Sequence, residues 1–130
     1  MERYEEAERM HLKAIEIKEA ILGKEDYEVA LSVGHLASLY NYDMKQHLKA
    51  EKLYLRSIKI GRKLFGPTYS GLEYDYRGLM QVYQITSDMN KYLEYRSILE
   101  DWRIARDTRE AEQVRNIMFF FYNFTTVFVF

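Results

Sequence analysis

Arg77 and Gln81 are the pair in this chain best suited to hold a charged ligand. They stand four residues apart, so on a helix they share one face, a turn from each other. A guanidinium presents a planar fork of N–H donors that matches a carboxylate, and an amide beside it adds a donor and an acceptor. The chemistry such a pair can do is binding. The competing use of Arg77 is an ion pair with Glu73 or Glu94 that only solubilises a helix. Other chemistry finds less support. The absence of Cys excludes a disulfide scaffold, a thiolate metal site and a Cys nucleophile. No Gly-x-Ser-x-Gly turn occurs. Gly66-Pro67-Thr68-Tyr69-Ser70-Gly71 lacks the lysine of a phosphate-binding loop and reads as a turn between helices. His11, His35 and His47 fall on different helical segments without a His-Glu-x-x-His spacing, so neither a metal nor another cofactor is expected. Glu5-Glu6 and the Glu73/Asp75 pair read as surface charge. Asn123-Phe124-Thr125 matches a glycosylation sequon, which has no consequence in a cytosolic chain. A catalytic constellation is therefore not expected, and the chain reads as a non-enzyme.

The composition bounds the rest. A chain of 130 residues suits one compact domain or a short repeat array. Its 19 Lys+Arg against 20 Asp+Glu leave a net charge of −1, which gives no long-range field for nucleic acid or an anionic membrane. One Pro and six Gly leave room for long helices. The opening MERYEEAERMHLK is charged and has no apolar stretch for a secretory signal. It is already amphipathic, so the chain is expected to be a fragment that begins inside an element.

Apolar residues recur at helical spacing. Ala7, Met10, Ala14, Ile17 and Ile21 predict one face of a first helix, closed by Gly23. A second helix is predicted over about Asp26 to Tyr40, with Val29, Val33, Leu36, Ala37 and Tyr40 on one side, and Asn41 to Lys45 as a turn. A third runs over about Gln46 to Phe65, with Gly66-Pro67 ending it and Pro67 suited to open the next.

These helices repeat. Residues 4–23, YEEAERMHLKAIEIKEAILG, align without gaps on residues 47–66, HLKAEKLYLRSIKIGRKLFG, at an offset of 43. Ala7/Ala50, Glu8/Glu51, Leu12/Leu55, Ile15/Ile58, Ile17/Ile60 and Gly23/Gly66 are identical, and Leu36/Leu79 and Tyr40/Tyr83 carry the register onward. A weaker copy begins near Lys91-Tyr92. A helical hairpin cannot bury its apolar face alone, so neighbouring copies must stack, and the face of the first helix is expected to lack a partner.

Leu36-Ala37-Ser38-Leu39-Tyr40 followed by Ala50-Glu51-Lys52-Leu53-Tyr54 resembles the tetratricopeptide repeat. The long period and the Ile-x-Ile-x-x-x-Ile/Leu-x-Gly ending resemble its kinesin-light-chain subtype. The run YSGLEYDYRGL at 69–79 resembles more specifically a group of adaptors built on such repeats, with looser similarity through Tyr92, Glu94, Tyr95, Trp102 and Arg106-Asp107. The resemblance implies a cytoplasmic, partly microtubule-associated adaptor, with vesicles and the nucleus as further locations. It implies binding of the amyloid precursor protein cytoplasmic tail and a link to its transport. It also implies a substrate receptor of a cullin-2 RING ubiquitin ligase that reads C-terminal degrons ending in Arg-x-x-Gly. No elongin- or cullin-binding box is recognisable here, so ligase components are expected to engage regions outside this sequence. The alternative is a microtubule- or kinesin-linked cargo adaptor that binds internal motifs. This chain departs from the repeat pattern where Met80 takes the small-residue slot of Ala37 and Tyr95 that of Ala50.

In such an array the first helix of each hairpin lines a groove. The groove candidates on that count are His35, Ser38 and Asn41 in one copy and Tyr74, Arg77 and Gln81 in the next, with Gln84 beyond and Gly34 and Gly78 among them. The two glycines either admit close peptide approach or relieve helix crowding. Tyr40, Tyr54, Tyr76 and Tyr83 fall at packing positions, whereas Tyr42 and Tyr74 fall off them.

Residues 117–130, IMFFFYNFTTVFVF, are short of a spanning helix. They read either as a membrane anchor or as a divergent, β-prone and aggregation-prone tail. The expected architecture is all-α: a tetratricopeptide-type helical-hairpin superhelix of about five helices. Its repeat units cover about 4–46, 47–90 and 91–110, with 111–130 a divergent Phe-rich tail, unstructured or aggregation-prone, outside the fold.

Overall fold

The computed structural model describes residues 2–129. Five α-helices follow one another: α1 (Glu2–Leu22), α2 (Tyr27–Ser38), α3 (His47–Phe65), α4 (Gly71–Ile85) and α5 (Met89–Val129). No strand occurs among the described residues. The all-α hairpin architecture expected from the repeat is the one found.

The boundaries have local causes. Gly23 and Gly66 close α1 and α3 with φ of 93° and 86°, a backbone that side chains other than glycine rarely adopt. Asp26 caps α2 by accepting the Glu28 N–H at 2.9 Å. Asp88 does the same for α5 through the Lys91 N–H at 3.2 Å. Pro67 lies in the turn before α4 rather than at its first position, because α4 begins only at Gly71. Beyond the end of α4 the chain turns at Ser87, φ 60°, with the Asp88 N–H reaching back to the Tyr83 carbonyl at 2.9 Å.

The segment expected as a turn after α2 is instead a widened π turn over Leu39–Asp43, where the Met44 N–H bonds to the Leu39 carbonyl at 3.0 Å. The chain then turns at Lys45, φ 58°. Counted from the closing glycines, Lys45 stands one residue later than Ser87 does in the next copy. The wide turn absorbs that extra residue. It also shifts the register of the helices that follow, so that Tyr92, not Tyr95, stands at the distance from its turn that Ala50 holds from Lys45.

Each helix packs against its successor. Ion pairs join α1 to α3 (Glu19–Arg56, 2.5 Å) and α3 to α5 (Glu51–Lys91, 3.8 Å), while Asn41 beyond α2 reaches Gln81 of α4 at 3.0 Å. The helices therefore form two layers, α1, α3 and α5 in one and α2 and α4 in the other. Val29, Val33, Leu36 and Tyr40 interleave with Ala50, Tyr54 and Ile58, then with Leu72, Tyr76, Leu79 and Tyr83, and finally with Leu99 and Trp102. The four tyrosines expected in the core are buried there, and Tyr42 and Tyr74 are exposed. Trp102 satisfies its indole N–H on the Tyr69 carbonyl at 3.1 Å.

Two expectations change. In α1 the predicted stripe is not the buried one: Ile15 is buried, but Met10 (68% exposed) and Ile21 (75%) face solvent. The α2 surface seats the Ala7–His11–Ile15 face instead. The Phe-rich segment is helical, not unstructured. No Gly or Pro interrupts the chain after Gly78, and Thr125 and Thr126 bond back to the Phe121 and Tyr122 carbonyls. Residues 107–126 are nonetheless exposed along this helix. No helix among the described residues is long and apolar enough to cross a membrane.

Candidate functional site

The six predicted groove residues divide between two clefts and the interior. Arg77 and Gln81 line a cleft of about 450 Å³ between α4 and α5, together with Gln84, Arg96, Glu100 and Arg103 over a floor of Met80, Tyr92 and Leu99. His35, Ser38 and Tyr74 line a second cleft of about 450 Å³ between α2 and α4, with Tyr27, Leu31, Gly34, Tyr69 and Asp75. Asn41 lines neither. It is 0% exposed, donates to Gln81 Oε1 at 3.0 Å and to the Gly78 carbonyl at 3.5 Å, and pairs its Oδ1 with His47 Nδ1 at 2.8 Å. Its placement in the groove is thus corrected. The amide ties the turn after α2 to the start of α3 and to the middle of α4, because it can donate and accept at once.

The arginine cleft is built by α4 and α5 together. Arg77 pairs with Glu73 at 2.5 Å, and Arg103 (3.9 Å) and Arg106 (3.7 Å) approach the same carboxylate. Of the two acids considered for Arg77, Glu73 is the partner. Arg103 also meets Glu100 at 3.9 Å and Arg106 meets Asp107 at 2.9 Å, and Arg96 adds a fourth positive charge at the cleft. Sequence reasoning named Arg77 but not Arg96 or Arg103, since these lie on the next helix. A four-and-seven spacing, Arg96–Arg103 with Glu100 between, was the available signal.

The second cleft contains a residue misread as surface charge. Asp75 is 6% exposed. Its Oδ2 accepts from the Ser57 hydroxyl at 2.8 Å, and no Lys, Arg or His nitrogen forms an ion pair with it among the described residues. Burial pushes its carboxyl up to about 7, against the opposing pull of the Ser57 hydrogen bond. Asp75 follows Leu72 by three and precedes Leu79 by four, so the helical period already put it on the buried stripe.

The two glycines have different jobs. A β-carbon on Gly78 would lie 2.6 Å from Tyr54 Cε2, so Gly78 relieves crowding between α3 and α4. A β-carbon on Gly34 would meet Asp75 Oδ1 and Ser57 Oγ at 3.5 Å, an ordinary contact, so Gly34 leaves the carboxylate open to the cleft.

The family model of the tetratricopeptide repeat matches residues 1–28 and 29–68, just over half of the chain. The chain belongs to the tetratricopeptide-repeat family. In this tetratricopeptide-repeat chain the family boundary between 28 and 29 pairs α2 with α3 as one hairpin and leaves α1 as the close of the one before. Tetratricopeptide repeats are protein-interaction scaffolds, and this chain is of that protein-binding kind. It is similar to amyloid protein-binding protein 2 of rat, 65% identical over 68 residues, and to that of mouse, 64% identical over 68 residues. Each match covers 52% of this chain and 12% of the relative, so the chain spans about an eighth of the curated relatives it matches.

Proposed function

We propose that this chain is a peptide-binding segment of a non-enzymatic adaptor and that it holds the C-terminal carboxylate of a protein ligand in the α4–α5 cleft. The observation that carries this is the meeting of Arg77, Arg96 and Arg103 with Gln81 and Gln84 around one cleft whose lining holds a single acid, Glu100. Guanidinium groups bind carboxylate in bidentate fashion, and the amides supply directional hydrogen bonds to the peptide backbone. Glu73 holds Arg77 in place, and Arg96 brings a further guanidinium to the cleft.

The name of the similar rat and mouse proteins states that they bind amyloid protein, which supports a protein ligand of that class for this chain. The finer reading is a substrate receptor for a cullin-2 ubiquitin ligase, working in the cytoplasm on C-terminal degrons ending in Arg-x-x-Gly. The cytoplasmic tail of the amyloid precursor protein is a further ligand. Cullin-2 components would engage parts of the relatives beyond the stretch matched here.

The test is fluorescence anisotropy with a peptide ending in Arg-x-x-Gly, once as the free acid and once amidated. The free acid should bind about tenfold or more tightly, the worth of a charge-assisted contact. Arg77→Ala and Arg103→Ala should erase the preference without unfolding the chain, since the Arg77 side chain is exposed and that of Arg103 half-buried, both outside the core. Equal binding of acid and amide overturns the carboxylate reading. The same arginines suit acidic internal motifs, so that result favours the second reading, a microtubule- or kinesin-linked cargo adaptor.

A further inference from the structure

We infer that the exposed length of α5 from Glu110 to Thr125 is a pairing surface, and that its occupant is a second copy of this chain packed against it in parallel. The inference stands apart from the carboxylate reading of the α4–α5 cleft.

α5 leaves the rest of the fold partway along. Leu99 and Trp102 are buried in the core, and Arg109 still donates to Thr68 Oγ1 at 2.8 Å. Beyond it the helix is exposed through Thr126. On that length Ala111, Val114, Met118, Phe121 and Thr125 recur at alternating steps of three and four, the pattern of a seam between paired helices. Val114, Met118 and Phe121 are each more than half exposed in the single chain. The Thr125 hydroxyl bonds to the Phe121 carbonyl at 2.7 Å, which leaves its methyl for the seam. The helix is already formed from the core outward, so pairing does not have to nucleate it.

The surface is shaped for a partner. A furrow of about 580 Å³ runs over Ala111, Val114 and Met118, with Glu110 on one flank and Arg115 on the other. These charges choose the partner and its direction. In a parallel pair Glu110 of one chain faces Arg115 of the other, and twofold symmetry makes that bridge twice. An antiparallel pair over the same length sets Glu110 against apolar side chains instead. A lipid surface fits less well. Asp107, Glu110 and Glu112 outweigh Arg109 and Arg115 here, so no basic face meets phosphate head groups. Phe119 and Phe120 lie outside the seam, Phe120 stacked on the Phe124 ring.

The rest of the fold leaves room for the second copy. By the 3.6-residue turn, the seam is rotated about 100° from the side of α5 that buries Leu99 and Trp102. Twofold symmetry then places the two folded bodies on opposite flanks of the pair. Because α5 is one continuous helix, both α4–α5 clefts stand at one level along it. The pair thus offers a ligand protein two sites in place of one.

The test is sedimentation equilibrium of the full chain at micromolar concentration. The parent should be a dimer. Met118→Glu should be a monomer with unchanged helix content by circular dichroism, because Met118 is exposed in the single chain. Glu110→Arg and Arg115→Glu should each weaken pairing about tenfold, since each sets like charges together twice. An equimolar mixture of those two variants should pair again. The chain has no Cys, so Ala111→Cys reports direction. A parallel pair brings the two introduced thiols within disulfide reach, whereas an antiparallel pair over the same residues holds them about 20 Å apart. A monomeric parent overturns the inference, as does any assembly that survives Met118→Glu. Failure of the mixture to pair, or of the thiols to cross-link, also overturns it. So does a monomer that sediments with phosphatidylcholine vesicles, which would give the surface to lipid. The free-acid test reads the α4–α5 cleft and not this seam, so the two readings fail separately.

Discussion

Tyr54 of α3 lays its ring across Gly78 of α4, close enough that a β-carbon there would meet ring atoms at 2.6 Å. The ring is buried, its hydroxyl lies 3.3 Å from Ser38 Oγ, and burial raises the phenol to about 12. The contact sets how near two successive hairpins stand.

Gly78→Ala should therefore destabilise the chain although alanine favours helix. The propensity gain is about 1 kcal/mol, and overpacking costs about 1–3 kcal/mol. Urea unfolding should show a net loss, largely recovered when Tyr54→Leu removes the ring. An unchanged midpoint would mean that α3 and α4 can part without cost.

Asp75 should make stability depend on pH. Its carboxyl is raised from 3.8 to about 7 by burial, so the folded chain holds a proton that the unfolded chain releases. A raised folded value contributes stability that is full below about pH 4 and is lost as pH climbs through 7. Asp75→Asn has no such loss. The variant should match the parent near pH 4 and exceed it at pH 8, by at most on the order of 4 kcal/mol. Denaturant unfolding at the two pH values checks it, and a variant less stable at pH 8 would show that the charge is stabilising.

Asn41 should be a stability residue and not a binding one. Asn41→Ala strips partners from Gln81, His47 and the Gly78 carbonyl in the interior, which should cost about 2–3 kcal/mol. Thermal unfolding should register the loss. Preference for a free-acid peptide, measured at a temperature where the variant is folded, should survive.

Removal of residues 111–130 should leave the melting temperature within about 3 °C, because residues 111–126 are exposed. Light scattering should fall sharply, since Ile117 to Phe124 present apolar side chains to solvent. A large drop in melting temperature would show that the end of α5 packs on the rest.

Much of the fold was legible because its causes are local. Gly23 and Gly66 mark helix ends by their own backbone freedom, and Leu36/Leu79 and Tyr40/Tyr83 mark the core by period. Asp75 was missed because its charge was weighed before its place on the stripe between Leu72 and Leu79. Asn41 was misplaced because the π turn at Leu39–Asp43 rotates it inward, and nothing in residue type announces a widened turn.

The sequence alone determined helices, their order and the stacking of repeats, since these follow from hydrogen bonding and periodicity within a few turns of chain. Only the tertiary structure decided which side of α1 meets α2, that Arg96 and Arg103 join Arg77, and that Gly34 opens Asp75 to a cleft. Those outcomes depend on distances between helices. Such distances are set by the sum of many side-chain volumes, among them Tyr54 against Gly78, and no single stretch of sequence contains that sum.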